Sequence, residues 1–384
     1  MAHVVVAPDK FKGSLTAAQV AASVATGISR VRPGTQVRQF PVADGGDGTL
    51  EAAIAAGFER VPVTATGPTG EPVETAFARR DDVAVVELAS VSGLAQLPGG
   101  KLAPLDATSR GTGDVIIAAL EAGCSTIVLG LGGSACTDGG AGMVQAMGAR
   151  LRDVDGEPLA PGGAALRGLG TVNIARMHPA VGVAEFVLAV DVDNPLLGPT
   201  GAAATYGPQK GATPADVQVL EDGLATWSSQ LRSLTDHDVA TLPGAGAAGG
   251  VGFAAMAVLG AVVRPGIEYL LELLGFDEAL RGAGLVITGE GSLDSQSLHG
   301  KAPIGVASAA AAAGCPTVAV AGRVAVDEQT LADAGIAAAY ALTDVEPDVS
   351  RCIAEAGPLL EQVAERLAAD WLEMDGSVRS AAAG

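Results

Sequence analysis

The chain has 384 residues and a formal charge of −20, with 48% apolar residues but only 3% aromatic ones. That negative balance excludes nucleic acid and anionic membrane surfaces as partners, because a polyanion would meet a repulsive field. The apolar fraction suffices for one large core or two, built from Val, Ala, Leu and Ile rather than from aromatics.

His3 to Ala7 reads as a buried strand ending in the polar loop Pro8 to Ser14. A helix follows from Thr16 to about Ser29, with Thr16 or Ser14 as its cap. Val37 to Val42 is a second strand, and the loop 43–49, Ala-Asp-Gly-Gly-Asp-Gly-Thr, leads to a helix starting near Leu50. Strands over 61–66, 73–79 and 83–88, separated by Gly-Pro-Thr-Gly and Arg-Asp-Asp turns, predict an antiparallel meander. A parallel rhythm returns with strands at 285–288, 317–321 and 338–342. The economical topology is an α/β doubly wound parallel-sheet domain made from residues 1–60 plus 275–375. A second α/β domain containing the antiparallel strands, 61–274, is inserted in it, and 376–384 forms a frayed tail. The uncharged run 302–322 is broken by Gly305, Gly314 and Pro316 into helix, turn and strand, which excludes a membrane-spanning helix.

Four cysteines, Cys124, Cys136, Cys315 and Cys352, are widely spaced without a C-x-x-C pair. With no secretory signal at the start, this predicts reduced thiols and a cytoplasmic protein. Cys136 reads as a small buried filler, since no histidine lies near it in sequence to activate it.

The most informative stretch is Thr-Gly-Glu-Gly-Ser-Leu-Asp-Ser-Gln-Ser-Leu-His-Gly-Lys at 288–301. It reads as a loop between a buried strand and a helix that carries Pro303 in its first turn. Ligands of open α/β sheets sit at such carboxyl ends of strands, and helix N-termini favour phosphate. Acids for a metal and a lysine for phosphate point to phosphoryl transfer from a nucleotide. A Walker P-loop is excluded, because Ser295 and Ala302 stand where Gly and Ser or Thr are required. A protein kinase is excluded by the absence of HRD-type and DFG segments. Gly130 to Ala135 fits the dinucleotide fingerprint G-x-G-x-x-A loosely, with Asp153 and Asp155 about twenty residues further on, where a ribose-binding acid would stand. A nucleotide-dependent oxidoreductase acting on a small hydroxy acid is therefore one alternative, and a non-catalytic nucleotide-binding protein another. Asp191 and Asp193 share one side if the strand before them continues. They suit Mg²⁺, or equally cap turns around Asn194-Pro195.

In order along the chain stand Ala-Pro-Asp-Lys-Phe-Lys-Gly-Ser-Leu at 7–15, the 43–49 loop, Ser-Arg-Gly-Thr-Gly at 109–113 and Gly-Gly-Ser-Ala at 132–135 with Asp138-Gly-Gly. Asp-Val-Asp-Asn-Pro-Leu at 191–196, Gly-Pro-Gln-Lys-Gly-Ala at 207–212, Gly-Ala-Gly-Ala-Ala-Gly-Gly at 244–250 and the 288–301 stretch complete the series. This ordered set resembles the bacterial glycerate kinase family, type 1, over nearly the whole chain. The family often has serine where Lys10 stands, Asn-Asp where Thr137-Asp138 stand, and threonine at Ser297.

The resemblance implies a flavodoxin-like domain joined to a second α/β domain. It also implies ATP and Mg²⁺ as cofactors, D-glycerate as substrate and 2-phosphoglycerate as the usual product. Phosphoryl transfer depends on positioning and charge neutralisation. On that chemistry Asp191 and Asp193 are the metal candidates, and Gly132, Gly133, Ser134, Gly289 and Gly291 are the phosphate-binding candidates. Lys301 is expected to neutralise the transferred group, and Asp294, or alternatively Glu290, to orient or deprotonate the acceptor hydroxyl. Lys12, Arg110 and Arg323 are candidates for the glycerate carboxylate, with Asp9, Asp44 and Asp47 serving the metal or bracing these cations. His299 stands beside Lys301 in sequence, and His3, His178 and His237 read as structural or surface residues. A homodimer is compatible with the sequence but not fixed by it.

Overall fold

The computed structural model describes residues 3–235, 237–295, 297, 301–374 and 378. In chain order the strands are β1 (His3–Pro8), β2 (Val37–Gln39), β3 (Glu59–Thr66), β4 (Pro72–Arg80), β5 (Val83–Glu87), β6 (Thr126–Gly130) and β7 (Arg150–Asp153). They continue with β8 (Leu169–Asn173), β9 (Glu185–Ala189), β10 (Val262–Arg264), β11 (Ala283–Leu293), β12 (Thr317–Val324) and β13 (Ala338–Ala341). The chain divides into two compact units, Met1–Asp44 with Ile267–Gly384, and Gly45–Gly266. These divisions fall earlier than the 60 and 275 read from the sequence. The helix Thr49–Ala55 packs on β4 and β5 of the second unit, whereas Ile267 lies against Gly305 of the first.

The first unit holds a five-stranded sheet in the order β13-β12-β11-β1-β2. All of its pairings are parallel. Numbered within the unit this is the flavodoxin-like order 2-1-3-4-5, whose topological switch point lies between β1 and β11. Val4, Val5, Val6 and Ala7 have no exposed surface, as expected for a central parallel strand covered on both faces. β12 shows the period-two alternation clearly. Val318 and Val320 pack with the helices Ala17–Val31 and Ala356–Trp371, while Ala319 and Ala321 pack with Ala307 and Leu331 on the other face.

Thr16 caps the helix Ala17–Val31 in a reciprocal capping box with Gln19, which selects Thr16 over Ser14 as the cap. The ladder pairing of β2 stops at Gln39, short of the expected Val42. The N–H groups of Phe40 and Val42 nevertheless still reach the carbonyls of Val6 and Pro8, at 2.8 and 3.0 Å. The chain is thereby led to Asp44 at the carboxyl edge of the sheet.

β11 is the main departure from expectation. The loop read from residue 288 begins only after Leu293, because 288–293 continue the strand. Gly289 pairs with Pro8 on one side and Val320 on the other, and Glu290 pairs with Ala321. Glycine is required by this close pairing, since a Cβ on Gly289 would lie 2.4 Å from the Val320 carbonyl oxygen. Of the expected frayed tail, 376–384, only Val378 is among the described residues, and it forms an isolated bridge with Leu372.

The second unit contains a six-stranded sheet in the order β10-β9-β6-β5-β4-β3 and a two-stranded sheet of β7 and β8. β3 to β5 form the expected antiparallel meander, and from β5 onward the pairing turns parallel. Its core includes Phe77, Leu88, Ile116, Leu129, Met143 and Trp227. Trp227, fully buried, donates its indole N–H to the Gly139 carbonyl at 2.9 Å. All four cysteines are free and buried. No helix among the described residues is long and apolar enough to cross a membrane.

Two stability predictions follow from these contacts. Gly289→Ala is expected to lower stability by about 2–3 kcal/mol, the usual cost of overpacking against a fixed backbone. Thr16→Ala should lower it by only about 1 kcal/mol through loss of the cap. Urea denaturation of both variants checks the order, and a Gly289→Ala protein as stable as the parent would show that β12 yields easily.

Candidate active site

In the first unit the carboxyl edge of the sheet gathers acids on both sides of the switch point. Asp9 directly follows β1, Asp44 closes the segment running alongside it, and Glu290 lies within β11. Their charges act on one another. Burial is the main cause that pushes the Asp9 carboxyl up to about 7, with Lys10 opposing and Asp44 and Glu290 adding to the rise. The Lys10 N–H also donates to Asp9 Oδ1 at 2.7 Å. Burial likewise raises Glu290, Asp294 and Asp44 add to it, and Ser297 and Lys301 oppose. Oε1 of Glu290 is buried with no hydrogen-bond partner among the described residues, while Oε2 lies 3.9 Å from Lys301 Nζ.

Lys301 stands at the N-cap of the helix Ala302–Ala312, with Pro303 in the first turn as expected. Asp294, the first candidate for the base, is used locally. Its Oδ1 accepts the Ser297 N–H at 3.4 Å and its Oδ2 the Ser292 hydroxyl at 3.4 Å. Ser297 is itself buried and returns its hydroxyl to the Ser292 carbonyl at 3.0 Å. Asp294 thus braces Ser292 and Ser297 against each other, and Glu290 is the carboxylate with fewer hydrogen bonds among the described residues. Arg323, opposite Ser292 in the ladder, donates to its hydroxyl at 3.3 Å and is otherwise exposed. Lys12 is exposed at the tip of a tight turn closed by Phe11 and Leu15, whose N–H groups each reach the other's carbonyl. A Cβ on Gly291 would come 3.3 Å from the Lys12 nitrogen, so this glycine lets that turn approach β11. Gly289 and Gly291 therefore lie in strand β11 and not in the expected loop, and both stand where backbone passes close. His299 lies outside the described residues.

In the second unit the segment 132–142 after β6 is held from several directions. Lys210, only 2% exposed, donates to the Ser134 hydroxyl at 2.8 Å, the Cys136 carbonyl at 2.5 Å and the Thr137 hydroxyl at 3.5 Å. Burial lowers its pKa to about 8, against the opposing pull of Cys136 and Asp138. Asp138 is equally enclosed. Its Oδ2 accepts from the Ser109 N–H and hydroxyl, at 2.8 and 2.9 Å, and from the Thr108 hydroxyl at 3.2 Å. The Gly142 N–H completes Oδ2 at 3.2 Å, and the Gly140 N–H reaches Oδ1 at 3.1 Å. So many donors identify Asp138 as a brace for the 108–110 and 138–142 turns. Cys136 is a buried filler whose thiol is pushed up by burial, and its Sγ lies 3.8 Å from the Ala248 carbonyl.

The glycines here answer the dinucleotide question. A Cβ on Gly132 would lie 2.4 Å from Gly46 Cα, and its N–H donates to the Gly45 carbonyl at 3.3 Å. Asp153, placed for a ribose, instead accepts the N–H groups of Asp155 and Glu157 at 3.0 and 2.9 Å. The fingerprint is a packing device at both of these points. The glycines at 244–250 act alike, since Gly249 and Gly250 press on Cys136 and Gly139. Gly133, at φ 73°, sits in the left-handed region that glycine favours.

β9 ends at Ala189, so no strand carries Asp191 and Asp193 onto one face. Asp191 Oδ1 accepts the Gly266 N–H at 2.6 Å, while Asp193 is exposed and helps raise the half-buried Tyr206, after burial itself. The Tyr206 hydroxyl donates to Asn194 Oδ1 at 2.5 Å. Arg110 opens the helix Arg110–Glu121 and is exposed. His3 and His178 have structural partners, the Ala279 carbonyl and the Ala180 N–H.

The sequence reading missed Glu87, and it placed Lys210 in the 207–212 loop without foreseeing its burial. Glu87 Oε2 accepts the Gly48 and Leu50 N–H groups, at 3.1 and 2.8 Å, and so occupies the N-terminus of the helix Thr49–Ala55. For Lys210 the flanking Gly207-Pro208 and Gly211 were the available signal, since such a lysine is confined in a tight turn.

A family model described as the glycerate kinase family matches residues 4–372. The chain is 42% identical over 371 residues to a glycerate kinase of Halalkalibacterium halodurans, covering 96% of this chain and 98% of that one. It is 44% identical over 343 residues to a glycerate 2-kinase of Escherichia coli, covering 88% and 90% respectively. A solved structure assigned as glycerate kinase 2 from Salmonella typhimurium LT2 aligns with a TM-score of 0.82 at 39% identity, covering 96% of this chain and 98% of that chain. With agreement of this extent in sequence and in fold, the chain belongs to the glycerate kinase family of enzymes.

Proposed function

We propose that the protein transfers the terminal phosphoryl group of ATP to a hydroxyl of D-glycerate in the presence of Mg²⁺, in the cytoplasm. The 2-phospho product is favoured, in keeping with the name of the Escherichia coli relative. The observation that carries the proposal is the group Asp9, Asp44 and Glu290 at the switch point of the first unit, with Asp9 and Glu290 both raised. Neighbouring carboxylates that resist ionisation call for a cation, and Oε1 of Glu290, without a hydrogen-bond partner among the described residues, offers an oxygen to one. No group of three or more His, Cys, Asp or Glu among the described residues is disposed to hold a metal ion. The ion would therefore be held by one or two of these carboxylates together with water and phosphate oxygens, as Mg²⁺ commonly is.

Glu290 and Asp9 would hold this ion directly or through water, and bound Mg²⁺ would supply charge neutralisation on the phosphates. Asp191 and Asp193 remain further candidates, Asp191 with its Oδ1 on the Gly266 N–H. Lys301 would place positive charge on the transferred group, and Arg323 and Lys12 are the cations offered to the glycerate carboxylate at this edge. In the second unit Gly133 and Ser134 remain the candidates for nucleotide phosphates, and Arg110 a further cation. Asp294 acts by bracing Ser292 and Ser297.

A phosphorus and proton NMR time course with D-glycerate, ATP and Mg²⁺ tests the proposal, with accumulation of phosphoglycerate expected. Absence of product from folded protein, with L-glycerate and related hydroxy acids also tried, would overturn it. Glu290→Gln and Lys301→Ala are each expected to lower kcat by about a hundredfold or more while unfolding as the parent does. Unchanged turnover in either would remove that residue from the reaction.

Asp9 gives a pH prediction for protein kept metal-free with a chelator. Its folded pKa of about 7 stands above the ordinary 3.8, so the folded state holds the proton more tightly than the unfolded chain. The associated stability is full below the unfolded value and is lost as pH rises through about 7. Asp9→Asn should therefore be more stable than the parent at pH 8, by on the order of 1–2 kcal/mol after allowance for partial exposure. Urea titrations at pH 5 and pH 8 check this, and an advantage no larger at pH 8 than at pH 5 would refute it.

A further inference from the structure

Lys210 is the only lysine or arginine among the buried described residues. All three of its hydrogen bonds go to uncharged oxygens, those of Ser134, Cys136 and Thr137. Desolvating an ammonium without an opposite charge in contact is costly, and a lysine serving only to link neutral oxygens would be an expensive choice. The carboxylate that acts on it, Asp138, is committed to the Thr108, Ser109, Gly140 and Gly142 donors.

The turn that Lys210 grips is otherwise built for a fixed shape. Gly133 has a left-handed backbone, Gly249 presses on the Cys136 carbonyl, and Trp227 holds the Gly139 carbonyl. The chain as a whole carries a charge of −20, so a triphosphate needs a local positive charge to bind.

We infer that Lys210 is a positioning residue for the phosphates of the nucleotide. Through Ser134, the Cys136 carbonyl and Thr137 it holds the 132–137 turn in its binding shape and places a buried positive charge beneath it. The inference rests on reading that turn as the phosphate-binding element. A bound polyphosphate supplies the counter-charge that the protein itself withholds.

The test uses the full chain and measures nucleotide affinity directly by titration calorimetry with ATP and Mg²⁺, alongside thermal unfolding without nucleotide. For Lys210→Met the expected result is at least a tenfold loss of ATP affinity and a matching rise in KM for ATP. KM for glycerate should stay within twofold, and weak binding of adenosine, followed by competition, should be unchanged. A purely structural brace would lower the unfolding temperature and weaken ATP and adenosine alike, and that result overturns the inference. ATP affinity equal to the parent's overturns it as well, while leaving the kinase reading intact. Failure of the parent protein to bind ATP at all would instead overturn the reading on which the inference rests. Should Lys210→Met not fold, Thr137→Val removes one acceptor and keeps both the lysine and Ser134. A threefold to tenfold loss of ATP affinity with adenosine binding unchanged supports the inference, and parental ATP affinity overturns it.

Discussion

The close pairing of β11 between β1 and β12 is the constraint on which the first unit depends. Gly289 and Gly322 make it possible, for a Cβ on either would lie about as near a neighbouring carbonyl oxygen as a covalent angle allows, at 2.4 and 2.5 Å. With those side chains absent, the strand continues past the switch point to Leu293. Glu290 is therefore carried on strand backbone, paired with Ala321 of β12 directly after the doubly paired Gly289, and not on a loop. A carboxylate held that way stays near Asp9 and Asp44 despite mutual repulsion, which a mobile loop would relieve by moving away.

Both units hold charge in places where it is poorly solvated, with opposite signs. In the first, raised carboxylates invite a cation. In the second, a lowered lysine invites an anion. Each unit thus offers a poorly solvated charge of its own, raised carboxylates in one and a lowered lysine in the other. The free protein bears the desolvation in advance, and binding energy is then not consumed in organising these groups.

Much of this was legible in the sequence because it is local. The Thr16 and Gln19 pair announces a capping box, Val-rich runs announce buried strands, and Gly-Pro-Thr-Gly announces the meander turn. The carboxyl-edge placement of Asp9 and Glu290 likewise follows from the alternation of strand, loop and helix. What stayed hidden depends on distant partners. Glycine-rich polar sequence after Ile287 looks like a loop, and only β1 and β12 on either side turn it into strand. Asp191 and Asp193 are spaced for one face of a strand, but β9 has already ended, and Gly266 claims one oxygen from far along the chain. Lys210 looks like a surface lysine until the 132–137 turn closes over it. Glycines that matched a dinucleotide fingerprint were matching a requirement for close packing, which the same residue type satisfies.

Lys210 and Asp138 also show why net charge misleads as a guide to binding. Asp138 is satisfied by its own network of donors, whereas Lys210 is hydrogen-bonded only to neutral oxygens and feels Asp138 without touching it. In low dielectric one such ammonium acts on a nearby phosphate far more strongly than dispersed, hydrated carboxylates act through water and salt. The proposed binding of anions by a chain of strongly acidic composition is thus physically consistent, because what decides is the solvation of a few charges and not their sum.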